Sequence, residues 1–343
     1  MPRKTRQNSI TRPEKTAGIN PSNLRLKDDF LNYLRSVQRS PRTIAGYDND
    51  LLIFFTFVKE RLGNKDFIKI SKRDYAAYQY WLVNENGNSP ARVRRLKSAV
   101  SSMSNFVENI CDDDPEFQGF RSTIRKIENP ALQPVRKKTV WSNEALDELL
   151  DSLMEMGQYK KACMLALAIC SGRRKAELCR FRVDDFKDEN LVCGGALYKT
   201  TEPIQTKGAG LGKYIYCFTL AKKFKPYLDA WIKAREKSGI ESEWLFPDPT
   251  NPTEQMSDTT LNSWADTFSR LTGEDFYWHS LRHLFTTNLV RAGIPDSVIA
   301  QIVGWESVDM CAVYTDISTE EMLDMYFDAD GVKTTDKKTL SDL

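Results

Sequence analysis

The sequence predicts a mainly α-helical protein with a small antiparallel β-sheet, divided into two domains. Over most of the chain, apolar residues recur at the three- and four-residue spacing of helices that bury one face. In the second half, two strand-like stretches flank a glycine-rich turn, which is the pattern of an antiparallel hairpin. A length of 343 residues exceeds that of one ordinary domain and fits two.

The composition excludes several classes of protein. Hydrophobic residues make up 41% of the chain and charged residues 28%, which provides enough apolar material for packed cores and excludes global disorder. The longest apolar stretches, Leu51–Val58 and Cys163–Cys170, are far too short to span a bilayer, and no apolar block follows the basic start as in a secretory signal. Seven scattered cysteines without a Cys-x-x-Cys pair are typical of reduced thiols. We therefore expect a cytoplasmic protein without a disulfide framework or a zinc site.

The charge is unevenly distributed along the chain. The net charge is only +2, but residues 1–140 carry 26 Lys and Arg against 15 Asp and Glu, a net charge of +11. Residues 141–343 carry 23 against 32, a net charge of −9. A strongly basic first half indicates a polyanionic partner, most often nucleic acid, although a solvated basic surface would give the same count.

Residues 1–22 are predicted to form a basic, flexible arm. Apolar residues are sparse here, and a single acid, Glu14, stands against five cations. The arm is interpreted either as a tail that contacts DNA or as a disordered end. The cations are Arg3, Lys4, Arg6, Arg12 and Lys15.

Residues 23–129 are predicted to form a helical domain. Ser40-Pro41 and Ser89-Pro90 each place a capping hydroxyl before a proline at the first helical position, and Ser71 opens another helix between them. The helix that begins at Pro90 has basic residues on both flanks of its apolar stripe. These residues are the candidate DNA contacts, namely Arg92, Arg94, Arg95 and Lys97.

A linker is predicted over residues 130–140, because two prolines interrupt helical structure and the charge changes sign there. The second domain then spans 141–316, with strand-like stretches over 191–204 and 214–219. Ser318 and Glu321 form a capping box that starts a last short helix in the C-terminal segment 317–343, whose end is polar and frayed. The helices of the second domain are expected near 142–156, 158–171, 220–237, 258–271, 279–292 and 295–303.

Both histidines of the chain, His279 and His283, lie in one short segment, His-Ser-Leu-Arg-His. Their spacing would place them on one helix face, but no Glu follows His279 and Arg282 would put a fixed cation beside a metal ion, which disfavours metal binding. A guanidinium and an imidazole can both donate hydrogen bonds to phosphate oxygens, which favours an anion site. The alternative is a pair of histidines packed at a helix end.

Two further segments carry reactive residue types. Ser171–Leu178 places Arg174 and Glu177 at helical spacing, without the spacing of a nucleotide-binding P-loop. Gly304–Tyr314 contains Trp305 and Tyr314, which in isolation are expected to be core aromatics. A phenol becomes a useful nucleophile only where cations stabilise the phosphate that it attacks.

Together, the three segments resemble the tyrosine recombinase (phage integrase) family. They read Ser-Gly-x-Arg-x-x-Glu-Leu, His-x-Leu-Arg-His, and Gly-Trp followed nine residues after the Trp by Tyr. The resemblance is sharp over 141–316 and looser over 24–125. It implies a helical core-binding (SAM-like) domain followed by an α+β tyrosine recombinase catalytic domain.

The resemblance also implies roles for individual residues. Arg174 and Arg282 would grip the scissile phosphate with His279, Glu177 would support them, and Tyr314 would be the nucleophile. Trp305 stands where many members have His and some have Trp. The family's hairpin lysine matches Lys207 best, while Lys199 and Lys213 remain possible. Arg173 departs from the family at a position that is usually apolar, and His283 is interpreted as support for the helix.

The implied activity is site-specific DNA recombination through a covalent 3′-phosphotyrosyl intermediate, without metal, ATP or any other cofactor. The implied partners are double-stranded DNA and three further copies of the chain, in a homotetramer on two DNA sites to which the segment 317–343 contributes protomer contacts. Accessory directionality proteins and a location at the nucleoid are also expected. The alternatives are strand cutting and resealing like that of a type IB topoisomerase, or a non-catalytic DNA-binding regulator on the same fold.

Overall fold

A computed structural model describes residues 10–131, 140–206 and 213–311, and the backbone of 327–328 and 331–332. The described residues fall into two compact units, the first made of 10–131 and the second of the remainder. Both are mainly helical, and the strands of the second unit are short and antiparallel, which confirms the predicted fold class. Within the described residues, no helix has both the length and the apolar character needed to cross a bilayer.

Helices of the first unit begin after Ser40, Ser71 and Ser89, as the sequence predicts. The side chains of Ser40 and Ser89 each accept a hydrogen bond from the backbone N–H three residues later, and Ser71 forms a reciprocal capping box with Asp74. The helix that starts after Ser71 continues into a π-helical turn at Trp81–Glu85. The five α-helices are α1 (Pro13–Thr16), α2 (Pro21–Ser36), α3 (Pro41–Arg61), α4 (Lys72–Tyr80) and α5 (Pro90–Ile110).

The core of the first unit lies between α3 and α5, along their predicted apolar stripes. Phe54 and Val58 of α3 and Val93 and Val100 of α5 are completely buried. The ring of Tyr78 on α4 packs edge-on against Phe54, with the ring centroids 4.9 Å apart. This packing fixes α5, and with it the orientation of the basic residues along its flanks.

The segment that the sequence assigns to a flexible arm differs from that expectation over residues 10–22. Residues 13–16 form α1, and Ile19 joins the core of the first unit with 2% of its surface exposed. The ammonium group of Lys59 donates hydrogen bonds to the carbonyl oxygens of Lys15 and Ala17, at 2.5 and 2.9 Å. Ile19, these contacts and the hydrogen bonds of Asn20 to Asn64 and Asp66 attach the segment, although its composition is polar. Residues 1–9 lie outside the described residues.

The second unit is organised around one buried helix, α7, which packs against α9 and α11. Ten consecutive residues of α7, from Ala162 to Ser171, are buried. This explains why its sequence is apolar on all sides. The helices are α6 (Asn143–Glu155), α7 (Tyr159–Ser171), α8 (Lys175–Leu178), α9 (Ala221–Lys237), α10 (Thr260–Thr272), α11 (Trp278–Arg291) and α12 (Asp296–Val303).

The two strand-like stretches each divide into shorter strands. The stretch 191–204 is interrupted by a turn at Cys193–Gly195, where three successive residues have positive φ, and again before Pro203. One sheet has the antiparallel order β1–β2–β5, and a separate ribbon pairs β3 with β4. The strands are β1 (Leu191–Val192), β2 (Leu197–Lys199), β3 (Ile204–Gln205), β4 (Tyr214–Ile215) and β5 (Phe218–Leu220).

Near the C-terminus, β6 (Phe327–Asp328) pairs with β7 (Gly331–Val332) as a short antiparallel ribbon. The sequence predicts a polar, frayed tail there, so this ribbon was not anticipated. The capping box of Ser318 and Glu321, and the helix that it predicts, lie outside the described residues.

Candidate active site

The turn after α7 creates the first part of the site. Gly172 ends α7 with φ of 60°, in the left-handed region that an L side chain rarely adopts. A Cβ atom at this position would lie 2.3 Å from Cδ1 of Phe285 on α11, so the backbone passes directly over that ring. The chain then turns into α8, with Arg174 as its N-cap residue.

Glu177 fixes Arg174 at two points. Its Oε2 accepts a hydrogen bond from the backbone N–H of Arg174, and its Oε1 accepts one from Nη1, both at 3.1 Å. The carboxylate of Glu177 is buried, whereas the Arg174 side chain is 31% exposed. A buried acid therefore orients a guanidinium that still reaches solvent, which is how a preorganised anion site is built.

Arg282 lies on α11, fully buried, and joins two other elements of the second unit. Its Nη1 donates to the carbonyl oxygen of Gly172 and its Nη2 to that of Val303, each at 3.0 Å. The first bond places Arg282 beside the turn that carries Arg174. The structure thus brings together the two arginines that lie more than a hundred residues apart in the sequence.

Trp305 and the two histidines complete the described part of the site. The Arg282 guanidinium lies 5.4 Å from the centre of the Trp305 ring, within the range of a cation–π interaction. His279 is exposed in the first turn of α11, and its ring meets that of His283 edge-on with the centroids 5.3 Å apart. An exposed imidazole therefore stands one helical turn from a buried guanidinium.

The three candidate lysines are in different surroundings. The ammonium group of Lys199 on β2 lies 4.3 Å from the centre of the Tyr216 ring. Lys213 is 3.5 Å from the carboxylate of Glu306, the residue after Trp305. Lys207 lies outside the described residues. It follows Thr206, whose N–H donates to the Lys213 carbonyl at 2.6 Å, so Lys207 and Lys213 flank the same connection between β3 and β4.

Tyr314 also lies outside the described residues, which end in this region at Cys311. Cys311 is buried in a cluster with Phe285, Val303 and Trp305. The structure therefore gathers Arg174, Glu177, His279, Arg282 and Trp305 into one region, and it neither places nor excludes Lys207 and Tyr314 there.

Arg173 has a structural role that the sequence does not predict. This side chain is 1% exposed and contacts the Cys217 thiol, with Nη1 3.6 Å from Sγ. Burial raises the pKa of the Cys217 thiol, while the positive charge of Arg173 opposes that rise. The signal in the sequence is that Arg173 occupies a position that is usually apolar in the family, and apolar positions are most often buried.

The structure contradicts the prediction that Lys97, in the first unit, contacts DNA. It is 5% exposed, and its ammonium group donates to the side chain of Gln79 at 2.6 Å and to the carbonyl of Ile127 at 2.9 Å. Burial, and then the charge of Arg94, lower the pKa of Lys97. A buried and hydrogen-bonded ammonium cannot reach a DNA backbone without leaving its partners.

The three arginines differ in how much of each side chain remains available. Arg94 donates to the carbonyl of Pro130, with its Nη2 at 2.9 Å. Arg92 and Arg95 share the buried carboxylate of Asp50, at 2.8 and 3.1 Å. Only 19% of the Arg92 side chain is exposed, against 63% of that of Arg95. Arg95 is therefore the best placed of the three to contact a partner.

Across residues 10–131, 140–206 and 213–311, no cluster of three or more His, Cys, Asp or Glu side chains is arranged to bind a metal ion.

Both units match known families of protein sequence. Residues 140–321 match the phage integrase family, and residues 28–108 match the phage integrase N-terminal SAM-like domain. The chain is 29% identical over 252 residues to the SPbeta prophage-derived recombinase-like protein YomM of Bacillus subtilis (strain 168), covering 73% of this chain and 72% of that protein. It is 25% identical over 321 residues to the tyrosine recombinase XerC of Caldanaerobacter subterraneus subsp. tengcongensis, covering 86% and 84% of the two chains.

Solved structures share the fold at lower sequence identity. The XerH site-specific recombinase bound to its palindromic difH substrate has a TM-score of 0.66 at 18% identity, and the match covers 90% of this chain and 96% of that one. The lambda integrase tetramer bound to a Holliday junction has a TM-score of 0.61 at 16% identity, with coverage of 91% and 80%.

The glycine at the turn after α7 provides a test of this geometry. We expect Gly172→Ala to destabilise the protein by about 3 kcal/mol or more, because the new methyl group both meets Phe285 and requires a left-handed backbone. Gly273 is the matched control, since it ends α10 with φ of 73° and has no atom within 4 Å of an added Cβ. Gly273→Ala should cost about 1 kcal/mol, the backbone part alone. Urea unfolding measures both values, and equal losses would contradict the close approach at Gly172.

Proposed function

The chain belongs to the phage integrase family, and we propose that it is a site-specific DNA recombinase of the tyrosine type. It cleaves and rejoins DNA strands through a covalent 3′-phosphotyrosyl intermediate. The observation that carries this proposal is the convergence of Arg174 and Arg282 on one turn, where Glu177 orients the first and the Gly172 carbonyl orients the second. Two fixed cations at one place suit a single phosphodiester group.

We assign Tyr314 as the nucleophile that attacks the scissile phosphorus. The transition state places additional charge on the non-bridging oxygens, and guanidiniums aimed at those oxygens stabilise it where it forms. Removing one such donor typically raises a reaction barrier by about 3–4 kcal/mol. Arg174 is partly exposed and would contact these oxygens directly. Arg282 is fully buried, with both Nη atoms bonded to carbonyls, and would stabilise the added charge through its own positive charge.

The other site residues would manage protons and orientation. The departing 5′-oxygen requires a proton, and a hairpin lysine can donate it, with Lys207 as the first candidate. His279 is exposed beside Arg282 and would donate to the phosphate or assist proton movement. Trp305 replaces a titratable histidine of many relatives and would pack against Arg282 and donate its indole N–H without changing charge.

The covalent intermediate explains why the reaction would need neither ATP nor a metal ion. Hydrolysis by water would release the free energy of the phosphodiester bond, whereas a tyrosyl ester retains it. A new 5′-hydroxyl can then attack that ester in a nearly isoenergetic step. The family's relatives are described as recombinases and integrases, which supports this exchange of strands over simple resealing by a topoisomerase.

The partners of the reaction follow from the same resemblance. XerH was crystallised with its difH substrate and lambda integrase as a tetramer on a Holliday junction, and we propose that this chain likewise assembles as a homotetramer on two DNA sites. The segment 317–343 would contribute to the protomer contacts. We further infer that accessory proteins set the direction of recombination, and that the protein works in the cytoplasm, at the nucleoid.

The nucleophile is tested by trapping the covalent intermediate. Nicked duplexes that carry the genomic junctions flanking the gene should yield a protein–DNA adduct on a denaturing gel in the presence of EDTA. Tyr314→Phe should yield none, because its ring has no hydroxyl to form the ester. An adduct that persists in Tyr314→Phe would refute the assignment, and a requirement for added magnesium would refute the metal-free mechanism.

The general acid is identified by changing the leaving group. In a substrate with a 5′-bridging phosphorothiolate, the departing sulfur needs no proton, so a variant that lacks only the proton donor should regain its cleavage rate. We expect Lys207→Ala to be rescued on this substrate, and Lys199→Ala and Lys213→Ala to show no such rescue. Rescue of either of the latter would move the assignment to that residue.

The DNA contact of the first unit is tested through the dependence of binding on salt. Arg95→Ala should weaken DNA binding and reduce the slope of log K against log salt concentration by about 0.9, the value for one phosphate contact. Lys97→Met is the control, because a buried lysine should affect stability and leave the slope unchanged. Gel-shift titrations at several salt concentrations measure both slopes, and an unchanged slope in Arg95→Ala would exclude this contact.

A further inference from the structure

Arg173 is a buried cation that the proposed chemistry does not use. It stands immediately before Arg174, at a position where the family resemblance leads us to expect an apolar side chain. Its 1% exposure makes it one of the largest fully buried side chains of the protein. A guanidinium loses much of its hydration free energy on burial, so its partners must compensate.

The guanidinium joins three segments of the second unit. Its Nε donates to the carbonyl of Ser171 at 3.2 Å, and its Nη2 donates to the carbonyl of Ile302. Its Nη1 contacts the thiol of Cys217, which lies between β4 and β5. Arg173 therefore connects the end of α7, the strand region and the last turn of α12.

Arg173 and Arg282 donate hydrogen bonds to the carbonyl oxygens of neighbouring residues. Arg282 binds the carbonyls of Gly172 and Val303, each one residue after the carbonyls that Arg173 binds. Ile302 and Val303 form the last turn of α12, where carbonyls lack partners within the helix and the helix dipole is negative. Two adjacent guanidiniums thus fix the end of one helix against the end of another.

The backbone that follows α12 is also held in place, and it leads to the candidate site. Gly304 has φ of 75°, and a Cβ atom there would lie 2.4 Å from the Ile215 side chain on β4 and 3.6 Å from Nη1 of Arg173. The next residue is Trp305, whose backbone N–H donates to the Ala300 carbonyl at 2.8 Å. The backbone that carries Trp305 is thereby confined between α12, β4 and Arg173.

We propose that Arg173 is a positioning residue for strand cleavage, which acts through Trp305 and Arg282 and does not touch the DNA. This inference rests on the proposed function. A displacement of about 1 Å at a reacting group can lower a rate by about a hundredfold, so a residue that fixes the loop at Trp305 should affect the chemical step. Because Arg173 is buried, it should contribute little to DNA affinity.

The chain offers a matched control in Arg235 on α9. It is 4% exposed, and it donates to the carbonyls of Ser242, Trp244 and Leu245, each at 2.8 Å. Arg173→Met and Arg235→Met both remove a buried guanidinium that is bound to backbone carbonyls, but only the first is linked to the candidate site. Any general effect on stability should appear in both variants.

The experiment measures adduct formation in a single turnover at saturating nicked DNA, corrected for the folded fraction of each variant, together with the Kd for DNA. We expect Arg173→Met to slow adduct formation at least about tenfold, with Kd changed less than about threefold. Arg173→Lys should recover part of the rate, because it restores the charge and one hydrogen bond. Arg235→Met should remain within about twofold of the wild-type rate.

Three results would overturn the inference while leaving the proposed function intact. They are a wild-type rate in Arg173→Met, an equal loss of rate in Arg235→Met, and a loss of DNA affinity in proportion to the rate. If Arg173→Met does not fold, Arg173→Lys and Arg235→Lys are compared by the same criteria. If the wild-type protein forms no adduct at all, the proposed function fails first, and this inference fails with it.

Discussion

Two buried guanidiniums, those of Arg173 and Arg282, hold the end of α7 against the end of α12, and the geometry of the candidate site depends on that connection. Their acceptors are consecutive carbonyls on both sides, from Ser171 to Gly172 and from Ile302 to Val303. The turn between them carries Arg174, and the helix end leads directly to Trp305. Arg282, one of the two arginines of the site, is therefore also part of the structural connection between the parts of the site.

The glycines at these two helix ends make so close an approach possible. At Gly172 the backbone passes over Phe285, and at Gly304 it passes over Ile215, with positive φ at both positions. A side chain at either point would place its Cβ atom 2.3–2.4 Å from that neighbour, so the two segments would have to move apart. The Ser-Gly and Gly-Trp pairs of the motif therefore have a steric meaning as well as a chemical one.

The net charge of the first half of the sequence overstates the number of cations that the first unit can present to DNA. Lys97 is buried, Arg94 is bound to a carbonyl, and Lys27 is buried against Asp28 and Asp48. The negative charge of Asp50 offsets part of the positive charge of Arg92 and Arg95. The same carboxylate also holds both side chains in fixed orientations. A smaller number of preorganised cations is consistent with a surface that contacts phosphates in a defined register.

Most of the helices and the identity of the motif residues could be predicted from the sequence, because they rest on local patterns. A serine cap, a proline in the first turn and an apolar stripe act within a few residues, as at Ser40 and Ser89. The division of the strands could not be predicted, since it depends on which segment pairs with which across the sheet. For the same reason, the sequence predicts a flexible arm for the polar segment around Ile19, although Ile19 joins the core and Asn20 bonds to Asn64 and Asp66.

In the site, the sequence by itself determined which residue types occur and in what order, from Arg174 to Tyr314. Only the tertiary structure decided which of two adjacent arginines faces inward, and which cation of α5 is buried. Those outcomes depend on partners distant in the chain, namely the Ile302 carbonyl for Arg173 and the Ile127 carbonyl for Lys97. Local spacing cannot determine them, because burying a charge is favourable only where folding brings its hydrogen-bond acceptors together.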